Sequence, residues 1–428
     1  MRLLLCLALL CSSNVALVAN ESMEAEIDAL VEPLVEERLI PGYHVAFYGK
    51  EGLLFEKSGG LADDKTNLQP GSKVLYFVDS MSKPLTALLM IRLQEQGKLQ
   101  FDDPIEKFLP QFADLQVLDV GSESERLKRA QSKVTIRQLL THTSGFTTSM
   151  ASQISNPVVV GYKQQRVMTR NSTANSKLGD LAAQVTKLSE FPLLFEPGTR
   201  FGYSVGYDVA GRIAEVVTGE DLATAMQTYV FQPLGMSDSH FIVPPDKHAR
   251  LARLYGPHGR SYQVPGKPKR YRKYAGIPRT QANFGIATDG YFSGSIGVLT
   301  TASDYSKLLQ MILNDGAVNG KRWLSKAGLQ RLTADQLPKH LPPGSISRSM
   351  PAISNSGYSF GVGIKLLPEA KPSDRKQYEY LYWAGDANTQ FFVDIETGVA
   401  GIFMTQHLPT RYFFLDRMHE LAVLHLTD

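Results

Sequence analysis

The order of its segments is the feature that most constrains how this chain can fold. Short runs of strand-forming residues open the chain, with His44–Tyr48 and Leu53–Phe55 on either side of the turn-forming Gly49–Gly52. This pattern predicts a β-hairpin. Helical periodicity then dominates across Ser80–Met236, and strand-like runs return only towards the C-terminus. Such an order predicts one antiparallel sheet that is built from both chain ends, flanked by helices and interrupted by a mostly helical insertion.

The C-terminal part supplies most of the predicted sheet. Four runs there are rich in the β-branched and aromatic residues that strands favour: Phe360–Leu366, Glu379–Trp383, Gln390–Asp394 and Val399–Met404. We therefore predict an α+β domain over residues 20–428. Its sheet part covers 20–79 and 285–428, and its helical and loop part covers 80–284.

Three helices have clear sequence signals. Apolar residues recur at helical spacing over Glu24–Leu39 and over Arg411–Leu426. In the middle of the chain, Thr135 and Gln138 have the spacing of a capping box, which opens a helix that ends at Leu140. We expect these helices to cover the faces of the sheet.

Composition excludes several classes of protein. The 428 residues are 43% hydrophobic and 20% charged, which is typical of globular domains rather than of disordered or fibrous chains. Lys and Arg number 45 against 42 Asp and Glu, and the formal charge of +3 is too small to indicate a nucleic-acid partner. The most basic stretch, Pro265–Lys273, is predicted to be a solvated loop.

Residues 1–19 are predicted to be a signal peptide. Arg2 is followed by an apolar run from Leu3 to Cys11, which is too short to span a bilayer, and small residues then appear at Ala16 and Ala19. A buried N-terminal helix is the alternative. We expect an exported protein, periplasmic or secreted, without an integral membrane segment in the mature chain, because no later run reaches the roughly 18 apolar residues of a span.

Cysteine and histidine usage argues against metal or thiol chemistry. Cys6 and Cys11 are the two cysteines of the chain, and both lie in the predicted signal peptide. The mature chain is then expected to have no disulfide and no cysteine nucleophile. The nine histidines form no His-Glu-x-x-His pattern, and His142 is predicted to be structural. We expect no metal and no cofactor.

A Ser-x-x-Lys pattern gives the first candidate for catalysis. It spans Ser80 and Lys83, follows the apolar run Val74–Val78, and opens a predicted helix. Residues three apart on a helix share a face, so Lys83 can take the hydroxyl proton of Ser80 where its surroundings favour the neutral amine. A second match, Ser373–Lys376, falls in a charged loop and is not a candidate.

The chain also contains Gly-x-Ser-x-Gly twice, at Gly202–Gly206 and Gly357–Gly361. The nucleophile elbow of an α/β-hydrolase needs a buried strand before this motif and a helix after it. A turn precedes the first match and a strand follows the second, so neither context fits. An α/β-hydrolase that uses Ser204 with His240 is kept as a weak alternative.

Motifs that are individually weak follow one another along the chain in a specific order. They are Ser80–Lys83, Leu139–Gly145, Pro197–Gly198, Tyr203–Val205, Pro233–Met236, Gly294–Thr301 and Trp383–Gly385. In order and spacing they resemble the serine β-lactamase and penicillin-binding superfamily, in its class C-like esterase branch. The resemblance runs from about Ile27 to the final helix, and it implies a β-lactamase/transpeptidase-like fold.

The resemblance also implies roles for individual residues. Ser80 would be the acylated nucleophile and Lys83 its general-base partner. Tyr203 matches the family's Tyr-x-Asn tyrosine, which shuttles a proton as a tyrosinate or as a phenol linked to lysine. By analogy, the backbone N–H groups of Ser80 and Asp386 would form the oxyanion hole, beside Gly385.

Three departures from the family pattern bear on the substrate. Val205 replaces the Asn of Tyr-x-Asn, and Trp383 replaces the Lys of Lys-Thr-Gly, while Asp386 adds a negative charge. The site therefore lacks the amide and the cation that would bind a β-lactam or D-alanyl carboxylate. One lost charge-assisted hydrogen bond costs roughly 1.5–3 kcal/mol. A neutral acyl or aromatic group suits these substitutions better.

These features predict a serine carboxylesterase that acts on a small-molecule ester, or amide, of short-chain or aryl type. A β-lactamase or D-alanyl-D-alanine carboxypeptidase is the alternative enzyme. A non-catalytic binding protein that keeps the fold is a third possibility, against which the intact Ser80, Lys83 and Tyr203 argue. The sequence contains no signal for an oligomeric state.

Overall fold

The structure is a computed structural model that describes residues 21–119, 126–149, 156–168, 179–257, 274–276, 291–341, 346, 356–367 and 378–427. Three predicted features lie outside these residues: the signal peptide, the basic loop Pro265–Lys273 and the second Ser-x-x-Lys match at Ser373–Lys376. All three stay predictions.

The described strands and helices follow the predicted order. The strands are β1 Gly42–Tyr48, β2 Leu53–Gly60, β3 Tyr76–Phe77, β4 Gln116–Asp119, β5 Arg126–Arg129, β6 Tyr255–Pro257, β7 Tyr274–Gly276, β8 Leu299–Thr300, β9 Ala317–Val318, β10 Lys321–Arg322, β11 Ser356–Tyr358, β12 Gly363–Leu366, β13 Tyr378–Ala384, β14 Gln390–Asp394 and β15 Val399–Met404. The α-helices are α1 at residues 21–36, α2 Ser82–Glu95, α3 Ile136–Leu140, α4 Pro157–Gln164, α5 Leu181–Leu188, α6 Gly206–Thr218, α7 Leu222–Met226, α8 Gln232–Leu234, α9 Ala302–Leu313, α10 Lys326–Thr333 and α11 Leu415–Leu426. Single turns of other helix types include the 3-10 turn Asp79–Met81 and the π-helical turn Gln227–Phe231.

Strands from both chain ends form the central sheet, which confirms the predicted α+β fold. In the described part of the chain, seven strands pair antiparallel in the order β11-β12-β13-β14-β15-β1-β2. All seven residues of β1 are buried, because it lies between β15 and β2. The exposed positions of β2 fit its place at the edge of this sheet, where none of the described strands pairs with its outer side.

The predicted strand Phe360–Leu366 is shorter in the structure. It begins at Gly363, and a turn separates it from β11. The turn forms because Gly361 adopts φ +83°, while the N–H of Ser359 donates to the carbonyl of Val362 at 2.9 Å. The hydrophobic run therefore contains a reversal that periodicity alone does not show.

The predicted helices are present with shifted ends. The N-terminal helix ends at residue 36 rather than at Leu39, and Arg38 after it adopts φ +57°, which a helix cannot continue through. The C-terminal helix begins at Leu415 rather than at Arg411. The capping box of Thr135 and Gln138 is confirmed, as both of its hydrogen bonds form at the start of α3.

Helices cover both faces of the sheet. One face packs against α1 and α11, and the other packs against the helical region around α2. Residues Ser82–Ile91 of α2 are buried on every side of the helix. A helix that is enclosed in this way belongs to the core of a large domain. Across the described residues, no helix combines the length and apolar character that a membrane crossing needs.

Candidate active site

Ser80 lies in the 3-10 turn directly before α2, and three polar groups meet at its hydroxyl oxygen. Oγ accepts a hydrogen bond from the Tyr203 hydroxyl at 2.8 Å and from Lys83 Nζ at 3.0 Å. It donates one to Asp79 Oδ1 at 3.0 Å. Ser80 itself is 8% exposed. The structure therefore brings Ser80, Lys83 and Tyr203 together at one atom.

Lys83 occupies the first turn of α2 and is 1% exposed. A lysine this deeply buried needs polar partners, because losing its hydration is costly. Besides Ser80 Oγ, its Nζ donates to the carbonyl oxygen of Ser295 at 3.0 Å and lies 4.7 Å from the ring centroid of Tyr203. The Ser295 carbonyl is a site contact that the sequence analysis did not identify.

Asp208, on α6, holds the segment that carries Ser295. Its carboxylate accepts hydrogen bonds from the hydroxyl of Ser293 at 2.5 Å and from the hydroxyl of Ser295. Burial raises the pKa of Asp208, whereas these two serines and Lys83 act in the opposite direction. Gly294 lets this segment approach α6, because a Cβ there would lie 2.4 Å from the carbonyl oxygen of Tyr207. The whole arrangement fixes the carbonyl that Lys83 contacts.

The loop that carries Tyr203 is anchored on the segment around His142. Gly202 N–H donates to the carbonyl of His142 at 2.8 Å, and Val205 N–H donates to that of Thr147 at 3.1 Å. His142 Nδ1 lies 3.2 Å from Ser204 Oγ, and its ring centroid is 4.5 Å from that of Tyr203. Burial, and secondarily Lys83, holds the pKa of His142 well below its usual range, so the ring is neutral. This geometry agrees with the structural role predicted for His142.

Tyr203 is a neutral phenol in this environment. Burial of its hydroxyl raises its pKa well above 10, the nearby Tyr358, Asp79 and Asp386 add to the rise, and the hydrogen bond with Ser80 opposes it. Of the two protonation states left open above, the structure supports the phenol. Tyr203 is thus a hydrogen-bond donor to the serine.

Trp383 and Val205 are part of the core beside the site. Trp383 lies on β13 and is 1% exposed, and its ring centroid is 5.2 Å from that of Tyr358 and 6.2 Å from that of Tyr203. Val205 is also buried and lies at the start of α6. Both side chains therefore pack against other side chains of the protein, and the ring of Trp383 lies beside the ring of Tyr203. Their predicted role in substrate binding stays a prediction.

The turn after β13 reaches the segment that precedes the serine. A Cβ at Gly385 would lie 2.2 Å from the carbonyl oxygen of Val78, so only glycine permits this approach. Gly385 N–H donates to the carbonyl of Thr389 at 2.8 Å and is not available to an oxyanion. Asp386 follows it, and its Oδ1 accepts a hydrogen bond from Thr410 N–H at 3.1 Å. The oxyanion roles of the Ser80 and Asp386 N–H groups stay predictions.

The serines of the two Gly-x-Ser-x-Gly motifs make structural contacts. Ser359 donates to the carbonyls of Leu332 at 2.6 Å and Val362 at 3.1 Å from a fully buried position. Ser204, which is also buried, contacts His142 rather than His240. Among the residues that the structure describes, no cluster of three or more His, Cys, Asp or Glu side chains could hold a metal ion.

A serine hydroxyl that is contacted by a buried lysine and by a tyrosine, beside an antiparallel sheet built from both chain ends, defines a serine hydrolase. The chain belongs to the Beta-lactamase family, whose model matches residues 27–425. Both statements agree with the resemblance drawn from the motifs.

Individual relatives include esterases. The chain is 28% identical to Esterase EstB of Burkholderia gladioli over 90% of each protein. It is 26% identical to the lovastatin esterase of Penicillium rubens, with 77% of this chain and 78% of the relative covered. Among solved structures, Simvastatin Synthase (LovD) from Aspergillus terreus shares the fold, with a TM-score of 0.73, 22% identity and coverage of 94% of this chain and 98% of that chain. The chain is thus a serine hydrolase in a family with ester-cleaving members.

Proposed function

We propose that this chain is a carboxylesterase that cleaves short-chain or aryl esters through an acyl-enzyme on Ser80. The observation that carries the proposal is the convergence of Lys83 Nζ and the Tyr203 hydroxyl on Ser80 Oγ, at 3.0 Å and 2.8 Å. A nucleophile with its base and its acid within hydrogen-bond distance is the arrangement that acyl transfer requires.

In the first half of the reaction, Ser80 Oγ attacks the ester carbonyl carbon and its proton passes to Lys83. The Ser295 carbonyl fixes Lys83 Nζ at 3.0 Å, so the amine is held beside the serine and not beside bulk water. The N–H groups of Ser80 and Asp386 are the proposed donors to the oxygen that becomes negative. Ser80 lies in the turn before α2 and Asp386 in the turn after β13, and these two turns come together at Val78 and Gly385.

The leaving alkoxide takes its proton from Tyr203, which is a neutral phenol next to the lysine. Lys83 then returns a proton to the tyrosine, because the Lys83 amine and the Tyr203 hydroxyl meet at the same serine oxygen. In the second half of the reaction, the pair activates a water molecule that attacks the acyl carbon. Ser80 recovers its proton as the carboxylic acid leaves, so the net reaction consumes one water per ester.

Charge favours a neutral ester over a β-lactam or a D-alanyl peptide. Both of these substrates carry a carboxylate, and the position of the family's lysine is occupied by Trp383. Asp79 and Asp386 both contribute to the raised pKa of Tyr203, so both carboxyl groups act on the site. A substrate carboxylate would lack the family's cation at the Trp383 position, which favours the esterase over the alternative enzyme.

The test uses the purified chain and its Ser80→Ala variant on p-nitrophenyl butyrate and on a chromogenic cephalosporin. The proposal expects ester turnover by the wild type, its loss in the variant, and little cephalosporin cleavage by either. Efficient cephalosporin cleavage would show that the protein is a β-lactamase rather than an esterase. No turnover of either compound would favour a narrow peptidase or a binding protein.

A further inference from the structure

Asp79 precedes the serine, and neither the sequence motifs nor the proposed mechanism gives it a role. It is fully buried, and its backbone adopts φ +47°, a left-handed conformation that asparagine, aspartate and glycine tolerate best. Within residues 21–119, no side-chain cap forms at the start of the 3-10 turn Asp79–Met81 or of α2. Helix capping therefore does not explain a carboxylate at this position.

The hydrogen bonds of Ser80 Oγ explain it better. A serine hydroxyl has one donor hydrogen and two acceptor lone pairs. Lys83 and Tyr203 occupy both lone pairs, so the hydrogen of Ser80 has to be donated elsewhere, and its acceptor is Asp79 Oδ1 at 3.0 Å. Asp79 thereby sets the direction of the hydroxyl in the resting site.

We propose that Asp79 is a positioning residue for Ser80, and that its carboxylate also stabilises the ammonium formed on Lys83 when the serine is deprotonated. This inference rests on the proposed function, since it needs Ser80 to be the nucleophile. Asp79 and Lys83 each form a hydrogen bond with Ser80 Oγ. A carboxylate at such a distance from an amine favours the charged form of the amine.

The proton transfer balances without Asp79 being consumed. Rotation about the Cβ–Oγ bond moves the hydrogen from Asp79 towards Lys83 Nζ. The O–H bond then breaks as the bond from Oγ to the carbonyl carbon forms, and the proton stays on Lys83. Asp79 takes no part in the transfer itself and stays beside the new cation. Removing its charge therefore slows deprotonation of the serine without removing the base.

The test compares Asp79→Asn and Asp79→Gly with the wild type. Asparagine keeps the shape and the tolerance for positive φ but removes the charge, and glycine removes the side chain while accepting the backbone. Two rates are measured from about pH 5 to about pH 9: labelling of Ser80 by an aryl fluorophosphonate, and kcat and KM for p-nitrophenyl butyrate. The matched control is Asp315→Asn, which makes the same exchange at an exposed residue with φ +53°.

The expected result is a labelling rate and a kcat that fall about 10- to 100-fold in both Asp79 variants, with KM and thermal midpoint close to those of the wild type. In Asp79→Asn, the rising limb of the pH profile should move to lower pH, because the ammonium of Lys83 loses a stabilising charge. Asp315→Asn should match the wild type.

Wild-type rates in the Asp79 variants would overturn the inference, and so would a loss of rate that leaves the rising limb in place, since that result indicates a backbone role. Failure of the proposed esterase function would look different from failure of this inference. In that case the wild type itself would neither label at Ser80 nor turn over the ester.

Discussion

At the residue scale, the chemistry of the site depends on buried side chains that contact the serine. Tyr203 is held as a neutral phenol, and its hydroxyl hydrogen is directed at Ser80 Oγ. Lys83 is enclosed by α2 and by the Ser295 segment, and the Ser295 carbonyl holds its amine beside the serine. Low local polarity strengthens each of these hydrogen bonds relative to the same bond in water.

Tyr203→Phe removes only the hydroxyl that contacts the serine. We expect kcat for p-nitrophenyl butyrate to fall about 100- to 10,000-fold, because the leaving alkoxide loses its proton donor. Steady-state kinetics measures the fall. The thermal midpoint should remain near that of the wild type, since the ring still packs against Trp383 and His142.

The matched control for this prediction is Tyr207→Phe. Tyr207 is also buried, but its hydroxyl donates to the carbonyl of Leu140 at 2.6 Å and does not touch Ser80. This variant should lose about 1–3 kcal/mol of unfolding free energy and keep its kcat. If instead Tyr203→Phe retained wild-type kcat, Tyr203 could not be the acid of the reaction.

The sequence identified some of the site residues from local spacing, some only through the family resemblance, and some not at all. Ser80 and Lys83 are three positions apart at a helix start, so local geometry alone joins them. Tyr203 is 123 positions from Ser80, and only the resemblance to a family connected the two. Asp79, Asp208 and Ser295 were missed, because a single Asp or Ser carries no spacing signal. An aspartate directly after the apolar run Val74–Val78 was the one available indication.

At the scale of elements, β1 carries a buried histidine whose ionisation opposes folding. His44 is 1% exposed, its Nδ1 lies 2.8 Å from Ser58 Oγ on β2, and Glu56 lies 3.8 Å from Nε2 but is 42% exposed. Burial lowers the pKa of His44 to about 4 from its ordinary 6.5. The folded state therefore binds this proton less readily than the unfolded chain does.

The contribution of neutral His44 to the free energy of unfolding should be full above about pH 6.5. It should be lost progressively as pH falls from there to about 4. A tenfold difference in proton affinity corresponds to about 1.4 kcal/mol, so the loss from this group is about 3 kcal/mol. Urea unfolding at several pH values measures it. His44→Asn should be less stable at neutral pH, with a smaller decline on acidification.

The control for the histidine prediction is His340→Asn, at an exposed position, which should leave the decline unchanged. An equal slope of unfolding free energy against pH in His44→Asn and the wild type would show that another group causes the acid sensitivity.

The elements differ in how far the sequence predicted them. Strands β14 and β15 and the capped helix α3 lie where expected, since each has a strong local signal at its ends. The turn at Gly361 and the burial of α2 on every side were not predicted. Both depend on neighbours that are distant in sequence, which hydrophobic periodicity does not report.

At the scale of the whole molecule, the sheet joins the two ends of the chain around the helical insertion. The segment order in the sequence predicted this architecture, because strands separated by a long helical region can still pair edge to edge. The site lies where the two parts meet. The 3-10 turn Asp79–Met81 carries the serine, the start of α2 carries the lysine, and the loop before α6 carries Tyr203, while the turn after β13 approaches from the sheet. The catalytic contacts therefore form only when both parts of the fold are correctly assembled.

The measurement that tests the central claim most directly is the site of covalent labelling. The wild type and Ser80→Ala are treated with an aryl fluorophosphonate, and intact mass and peptide mapping are followed together with ester turnover. The account predicts one adduct, on Ser80, that forms in step with the loss of turnover and is absent from the variant. An adduct on Ser204 or Ser359, or ester turnover that survives in Ser80→Ala, would contradict it.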